Sequence, residues 1–301
     1  MRKNKKSFFT LLEVLVSMGV FSLLMLALMQ FFSAAQGVWE RTGNKAELFE
    51  SAKTAMDIIA NDLACAYYEM DHDSSYQFFQ ITSTDADEIV FAAQKESGNV
   101  QLCYKWDSAT WKLYRYEKTE ASAFSSGTAN PTWFTRSGKT DWINEMVSGV
   151  VNESHLLAEN VLDFSATAKK RTSNPSPPPP IVLSPITVSA SAEDKFPEVV
   201  IVSMTMLSND AQEKLRNRFS DKTTDAAKDA EIQTLFNTTT FQYIKSDGSD
   251  SSESEKKTVR QMLIDGTPPA GGDDTNQAIL FNGCQQFTRA VSLVDRVTFL
   301  K

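Results

Sequence analysis

An α+β fold, with one long N-terminal helix packed on antiparallel β-sheets, is what three features of this sequence predict. Residues 14–32 form an apolar run without a single charge. Beyond them apolar residues recur at three- and four-residue steps, the period of an amphipathic helix. From residue 76 onward, short aromatic and β-branched runs alternate with Asp, Ser and Gly turns, the pattern of strands.

The first element divides in two. A basic leader, residues 1–8, contains Arg2, Lys3, Lys5 and Lys6 and no acid. Residues 9–32 follow as a transmembrane helix, because a hydrocarbon core about 30 Å thick needs roughly 20 apolar helical residues. A secretory signal peptide has a shorter apolar region, roughly 7–15 residues, and then a small-x-small cleavage site. The leader cations place the N-terminus in the cytoplasm and the rest outside, as a single-pass anchor. Glu13 is the anomaly. A carboxylate at membrane depth costs a few kcal/mol and is read as functional where a positive partner can be named. The plain alternative is an interfacial acid tolerated near the end of an anchor helix.

Residues 33–70 continue as an amphipathic helix into the head. Leu48, Ala52, Ala55, Met56, Ile59, Leu63 and Tyr67 make its apolar face, and Lys45, Glu47, Glu50, Lys53, Asp57, Asn61 and Asp62 fill the other. The first proline is Pro131, so nothing breaks this helix, although Gly37 and Gly43 are its weakest points. Residues 71–301 form a globular head. Strands are expected at 76–82, 88–94, 100–106 and 111–117 as a meander, and later at 160–168, 198–207 and 287–300. Short helices are expected at 209–219, with Asn209 and Gln212 in capping-box spacing, and at 225–236 and 257–264. Residues 172–185, with Ser-Pro-Pro-Pro-Pro, read as a stiff extended connection rather than a ligand for a proline-binding domain. Residues 247–255 and 271–276 read as polar loops.

The run Phe8-Phe9-Thr10-Leu11-Leu12-Glu13-Val14-Leu15-Val16-Ser17-Met18 resembles the class III signal of type IV pilins and type II secretion pseudopilins. The similarity extends to Ile58-Ile59-Ala60-Asn61-Asp62-Leu63 and to the segments 157–164 and 196–206, which look like the J-type minor pseudopilin. The resemblance implies a pilin-like fold. It also implies leader removal by a prepilin peptidase at the inner membrane and N-methylation of Phe9 as the first mature residue. Glu13, fifth in the mature chain, would then neutralise a neighbour's N-terminal amine during subunit assembly. The junction Ser7, Phe8, Phe9 leaves two cuts open. A cut after Phe8 gives Glu13 the family's spacing but puts Phe where a small residue is usual. A cut after Ser7 restores the small residue and moves Glu13 to sixth. Residues 209–286 exceed the group's usual head and read as an insertion or as the mark of a more distant pilin-like branch.

The function so implied is a non-enzymatic minor pseudopilin or pilin-like subunit of a periplasmic filament, near its tip. Its partners would be other pilin-like subunits, the prepilin peptidase and the inner membrane. The alternative is a membrane-anchored extracytoplasmic binding or sensor domain. The formal net charge of −8, about −12 without the leader cations, disfavours nucleic acid as a partner.

Motifs for an enzyme fail on spacing. Gly138-Lys139-Thr140 ends like a phosphate-binding loop, but Trp133 stands where its first glycine belongs. His72 and His155 lie in no zinc pattern, and no G-x-S-x-G occurs. No cofactor is expected. For calcium, the acidic segments 71–76 and 247–252 begin like binding loops but lack the tight-turn glycine, so solvated turns are the expectation. Cys65, Cys103 and Cys284 show no C-x-x-C spacing. In an oxidising compartment one pair could bridge, Cys65 with Cys103 as the candidate, or all three stay thiols.

Overall fold

The computed structural model describes residues 11–67, 79–81, 87–96, 98–119, 142–171, 183–186, 197–252, 255–271 and 275–293. The basic leader, the Ser7, Phe8 and Phe9 junction, the segment 71–76 with His72, the Gly138-Lys139-Thr140 segment and residues 294–301 lie outside them, as does the Ser-Pro-Pro-Pro-Pro run. The chain divides into two compact units, Met1–Glu47 and Leu48–Lys301.

Helix α1 spans Leu11–Ala64, passing Gly37 and Gly43 without a break. It ends short of residue 70 because the backbone past Ala64 pairs with a strand instead. The Cys65 carbonyl accepts from the Gln94 N–H at 2.9 Å, and the Tyr67 N–H donates to the Ala92 carbonyl at 2.8 Å. Tyr67 thus leaves the helical face on which periodicity placed it.

In the second unit, β1 (Phe79–Gln80), β2 (Glu88–Lys95), β3 (Gly98–Asp107), β4 (Lys112–Thr119) and β5 (Leu156–Ala158) form an antiparallel sheet in chain order. The meander expected from the alternating runs is present. Its first hairpin closes at Lys95↔Gly98, where Gly98 takes φ +111°, a conformation that favours glycine. The next turn is built by Asp107, whose carboxylate accepts from the Ala109 N–H at 3.0 Å and the Thr110 hydroxyl at 2.6 Å. Trp111, expected as the first residue of β4, sits in that turn with φ +56°. Its side chain is held there by burial beside Leu162 and Leu207.

A second antiparallel sheet has the order β11-β8-β6-β7, from β6 (Val161–Arg171), β7 (Leu183–Ile186), β8 (Val199–Leu207) and β11 (Cys284–Ser292). Residues 183–185 were expected inside the proline-rich connection and instead pair with β6, Pro185 opposite Lys169. β7 ends the sheet among the described residues, the position where a residue without an N–H is tolerated.

Alternation along the strands sorts three cores. Leu48, Ala52, Ala55, Met56, Ile59 and Leu63 of α1 pack with Ile89, Phe91, Leu102 and Tyr104 of the first sheet and Phe164, Val202 and Met204 of the second. The opposite face of the first sheet, Val90, Cys103 and Tyr114, is covered by Ile143 and Met146 of α2 (Trp142–Gly149) and by Val150. The third core belongs to the 209–286 segment.

That segment is a helical subassembly. It contains α3 (Asn209–Arg218), α4 (Asp225–Asn237), α5 (Val259–Asp265), α6 (Asn276–Gly283) and a small ribbon of β9 (Thr240–Phe241) with β10 (Lys257–Thr258). Leu215, Ile232, Phe236, Val259 and Leu280 fill its interior against Trp111, Leu162 and Leu207. Each helix begins on a hydroxyl cap. Thr224 and Thr275 cap α4 and α6, and Thr258 with Gln261 makes a reciprocal capping box on α5. The box expected at Asn209 and Gln212 is displaced: Ser208, in extended conformation, is the cap of α3 and accepts from Ala211 N–H.

Gly283 is required by close packing. A Cβ there would stand 2.2 Å from the Ala211 Cβ. Gly283→Ala should therefore force α3 and α6 apart and cost about 1–3 kcal/mol. Gly149→Ala, whose Cβ would meet only a Tyr116 ring carbon at 3.5 Å, should stay within about 0.5 kcal/mol. Denaturant midpoints of the full chain in detergent test the pair; equal shifts would contradict this packing account.

Candidate functional site

One helical segment of the described residues is long and apolar enough to cross a membrane, Glu13–Ser33, 21 residues and unburied. Its large side chains stand open on every side: Leu15, Val16, Met18, Phe21, Leu23, Leu24, Phe31 and Phe32 are all exposed. An α-helix pairs its backbone groups internally, which is the condition for entering lipid. Two hydroxyls in this segment follow the same rule. Ser17 donates to the Val14 carbonyl at 2.8 Å and Ser22 to the Met18 carbonyl at 2.9 Å, so neither needs a solvent partner. Glu13 stands at the edge of this segment, in the first turn of the described helix, and is exposed.

Among the described residues of the second unit, a dense polar centre surrounds Asp62, which sequence periodicity had placed on the solvent face. It is instead 6% exposed. It lies at the margin of the apolar stripe, one helical turn past Ile59, and strands β2, β3 and β4 bring it donors. Tyr104 Oη donates to Asp62 Oδ2 at 2.5 Å and Arg115 Nε to the same oxygen at 2.7 Å, while Lys95 Nζ lies 2.9 Å from Oδ1. Glu117 closes the ring, accepting from Arg115 Nη2 at 2.5 Å and Lys95 Nζ at 2.8 Å. Two acids face two bases, and each charged group has opposite-sign partners.

Burial pushes the Asp62 carboxyl up, but the hydrogen bonds from Arg115, Tyr104 and Lys95 outweigh it and hold the group below its ordinary value. Glu117 behaves alike, with burial opposed by Lys95 and Arg115. Burial and the Asp62 charge push the Tyr104 phenol well up. The arrangement is a clamp between helix and sheet. Its members Tyr104, Lys95 and Arg115 were missed because their partner was assigned to water.

A cleft of about 610 Å³ opens where both sheets meet the 209–286 segment, lined by Asp87, Trp106, Asp163, Asn237, Arg260 and Gln261 among others. Its size falls in the small-molecule range, roughly 300–1,000 Å³. Asp163 accepts from Arg260 Nε at 3.0 Å, and the Trp106 indole N–H donates to the Val161 carbonyl at 2.7 Å.

The remaining sequence candidates have ordinary surroundings. His155 packs 4.5 Å from the Tyr116 ring. Asp247 accepts from the Ser249 N–H at 2.9 Å and hydroxyl at 2.6 Å, an Asx-type turn with Gly248 at φ +82°. No group of three His, Cys, Asp or Glu side chains poised for a metal occurs among the described residues.

The Cys65–Cys103 bridge is not formed; all three cysteines are thiols. Cys65 packs against the helix-side core, whereas Cys103 faces the α2 side of the same sheet. Burial pushes the Cys103 thiol up to about 12 and raises Cys284 as well, so both stay protonated at neutral pH.

No family model, curated protein or solved structure matches this chain.

Asp62→Ala should destabilise the second unit by about 3 kcal/mol, since it leaves Arg115 and Lys95 half-buried around an emptied position. The pH dependence has a definite sign. Because the folded-state carboxyl binds its proton less readily than its ordinary value of 3.8, its stabilisation is whole at neutral pH. It drains as pH falls below about 4. Asp62→Asn should flatten that acid limb in denaturation midpoints followed between neutral and acid pH; an unchanged limb would remove Asp62 from the account.

Proposed function

We propose that this chain is a non-enzymatic pilin-like subunit, most similar to a minor pseudopilin. On this reading it is anchored in the inner membrane by residues 9–32 and assembles with related subunits into a periplasmic filament, near its tip. The observation that carries the reading is the bare apolar helix Glu13–Ser33 with a carboxylate at its edge, continuing the leader motif of residues 8–18. An antiparallel head packed on the later part of the same helix supports it.

The mechanism has two parts. Apolar anchor helices pack laterally against one another through side chains that are exposed among the described residues. The Glu13 carboxylate pairs with the N-terminal ammonium of a neighbouring subunit, each offsetting the other's desolvation. Arg2, Lys3, Lys5 and Lys6 hold the N-terminus in the cytoplasm until the leader is cut. A second reading, a tethered binding domain, is favoured by the cleft between the sheets and the 209–286 segment.

Co-expression with a prepilin peptidase, followed by intact-mass measurement, should give a chain shortened to begin at Phe8 or Phe9. A chain of unchanged mass would count against processing and favour the tether. Glu13→Ala should leave the protein in the membrane fraction yet lower its co-purification with pilin-like partners by about tenfold, equivalent to about 1.4 kcal/mol. Undiminished co-purification would exclude the charge-pairing role.

A further inference from the structure

Between Glu13 and Glu40 the chain has no charged residue. The uncharged stretch, residues 14–39, is helical throughout and about 39 Å long at 1.5 Å per residue. A bilayer measures about 30 Å across its hydrocarbon and roughly 40–45 Å with its headgroup layers. Centred in the bilayer, the stretch therefore ends about 4–5 Å outside the hydrocarbon on each side. Its last residue is Trp39, followed by Glu40 and Arg41. No other aromatic residue occurs between Phe32 and Phe49. The Trp39 side chain is 81% exposed, among the barest large apolar groups of the protein.

We propose that Trp39 is a lipid-binding anchor, its indole seated in the headgroup layer of the leaflet opposite the one that Glu13 borders. An indole suits that depth because its ring is apolar while its N–H requires an acceptor, and phospholipid ester and phosphate oxygens supply one. The occupant of this helix face is thus phospholipid rather than protein. Three observations together select it: the length of the uncharged stretch, the charges that begin immediately after the ring, and the ring's exposure. The consequence is that Glu13 and Trp39 jointly fix the depth of the helix. Glu13 then lies at one interface, within reach of an ammonium in the same layer.

The inference rests on the membrane-spanning reading above, and the test separates the two. The full chain is reconstituted with phosphatidylcholine vesicles, and flotation on a density gradient establishes insertion. Tryptophan emission is then compared for the wild type and Trp39→Phe, in lipid brominated near the glycerol end of the acyl chain and in lipid brominated near its tail. There are five tryptophans, so the difference between the two proteins isolates residue 39. That difference should be blue-shifted and quenched several-fold more by the shallow bromines than by the deep ones. A floating chain whose difference emission neither lipid quenches would place the ring in water or against protein and overturn the anchor. Stronger quenching by the deep bromines would overturn it equally. A chain that fails to float would overturn the membrane reading and the anchor with it.

Discussion

One helical stripe supports the second unit: Leu48, Ala52, Ala55, Met56, Ile59 and Leu63 fill a core shared by both sheets. Each sheet turns one face to that stripe, so neither could bury its inner residues without it. The small residues matter as much as the large ones. Ala52 and Ala55 let strands approach closely where Phe91, Tyr104 and Phe164 supply bulk, which is how a core reaches the density of a close-packed solid. The outer cores are then local: α2 closes one face of the first sheet, and the 209–286 segment closes around Trp111, Leu162 and Leu207.

Asp62 limits how the stripe can seat. A buried charge is weak as a source of stability because its desolvation offsets much of its attraction, but misplacing it is costly. Tyr104, Arg115 and Lys95 come from three successive strands and converge on its two oxygens. A helix rotated by one residue would turn Asp62 about 100° away from those donors. The clamp and the apolar stripe therefore specify the same seating by different means, the stripe by volume and the clamp by charge.

The early part of α1 meets a different physical demand. Its backbone is satisfied internally and Ser17 and Ser22 bond back to carbonyls one turn earlier, while its large apolar side chains are exposed among the described residues. Such a surface is long and apolar enough to cross a membrane. Glu13 borders the uncharged stretch at one end and Trp39 closes it at the other.

Local chemistry was legible wherever a period repeats within a few residues. The apolar run at 14–32, the meander at 88–119, the strands at 161–171 and 199–207 and the helices beginning at 209 and 225 all follow from alternation, helical spacing or capping chemistry. What escaped it was one local choice, Ser208 rather than Asn209 as the cap of α3, and positions that a distant partner decides. The α6 helix ends in a glycine demanded by Ala211, far back in the chain. Trp111 accepts a left-handed backbone in exchange for burial in a core that residues 209–286 build. The sequence by itself determined that residues 14–32 are uncharged and apolar, that a helix continues beyond them, and that short antiparallel strands follow. Only the tertiary structure decided that Asp62 is buried and that Cys65 and Cys103 lie on opposite sides of a sheet. Helical period tells which residues share a face, but whether a residue at the margin of that face meets water or Arg115 depends on strands more than thirty residues away.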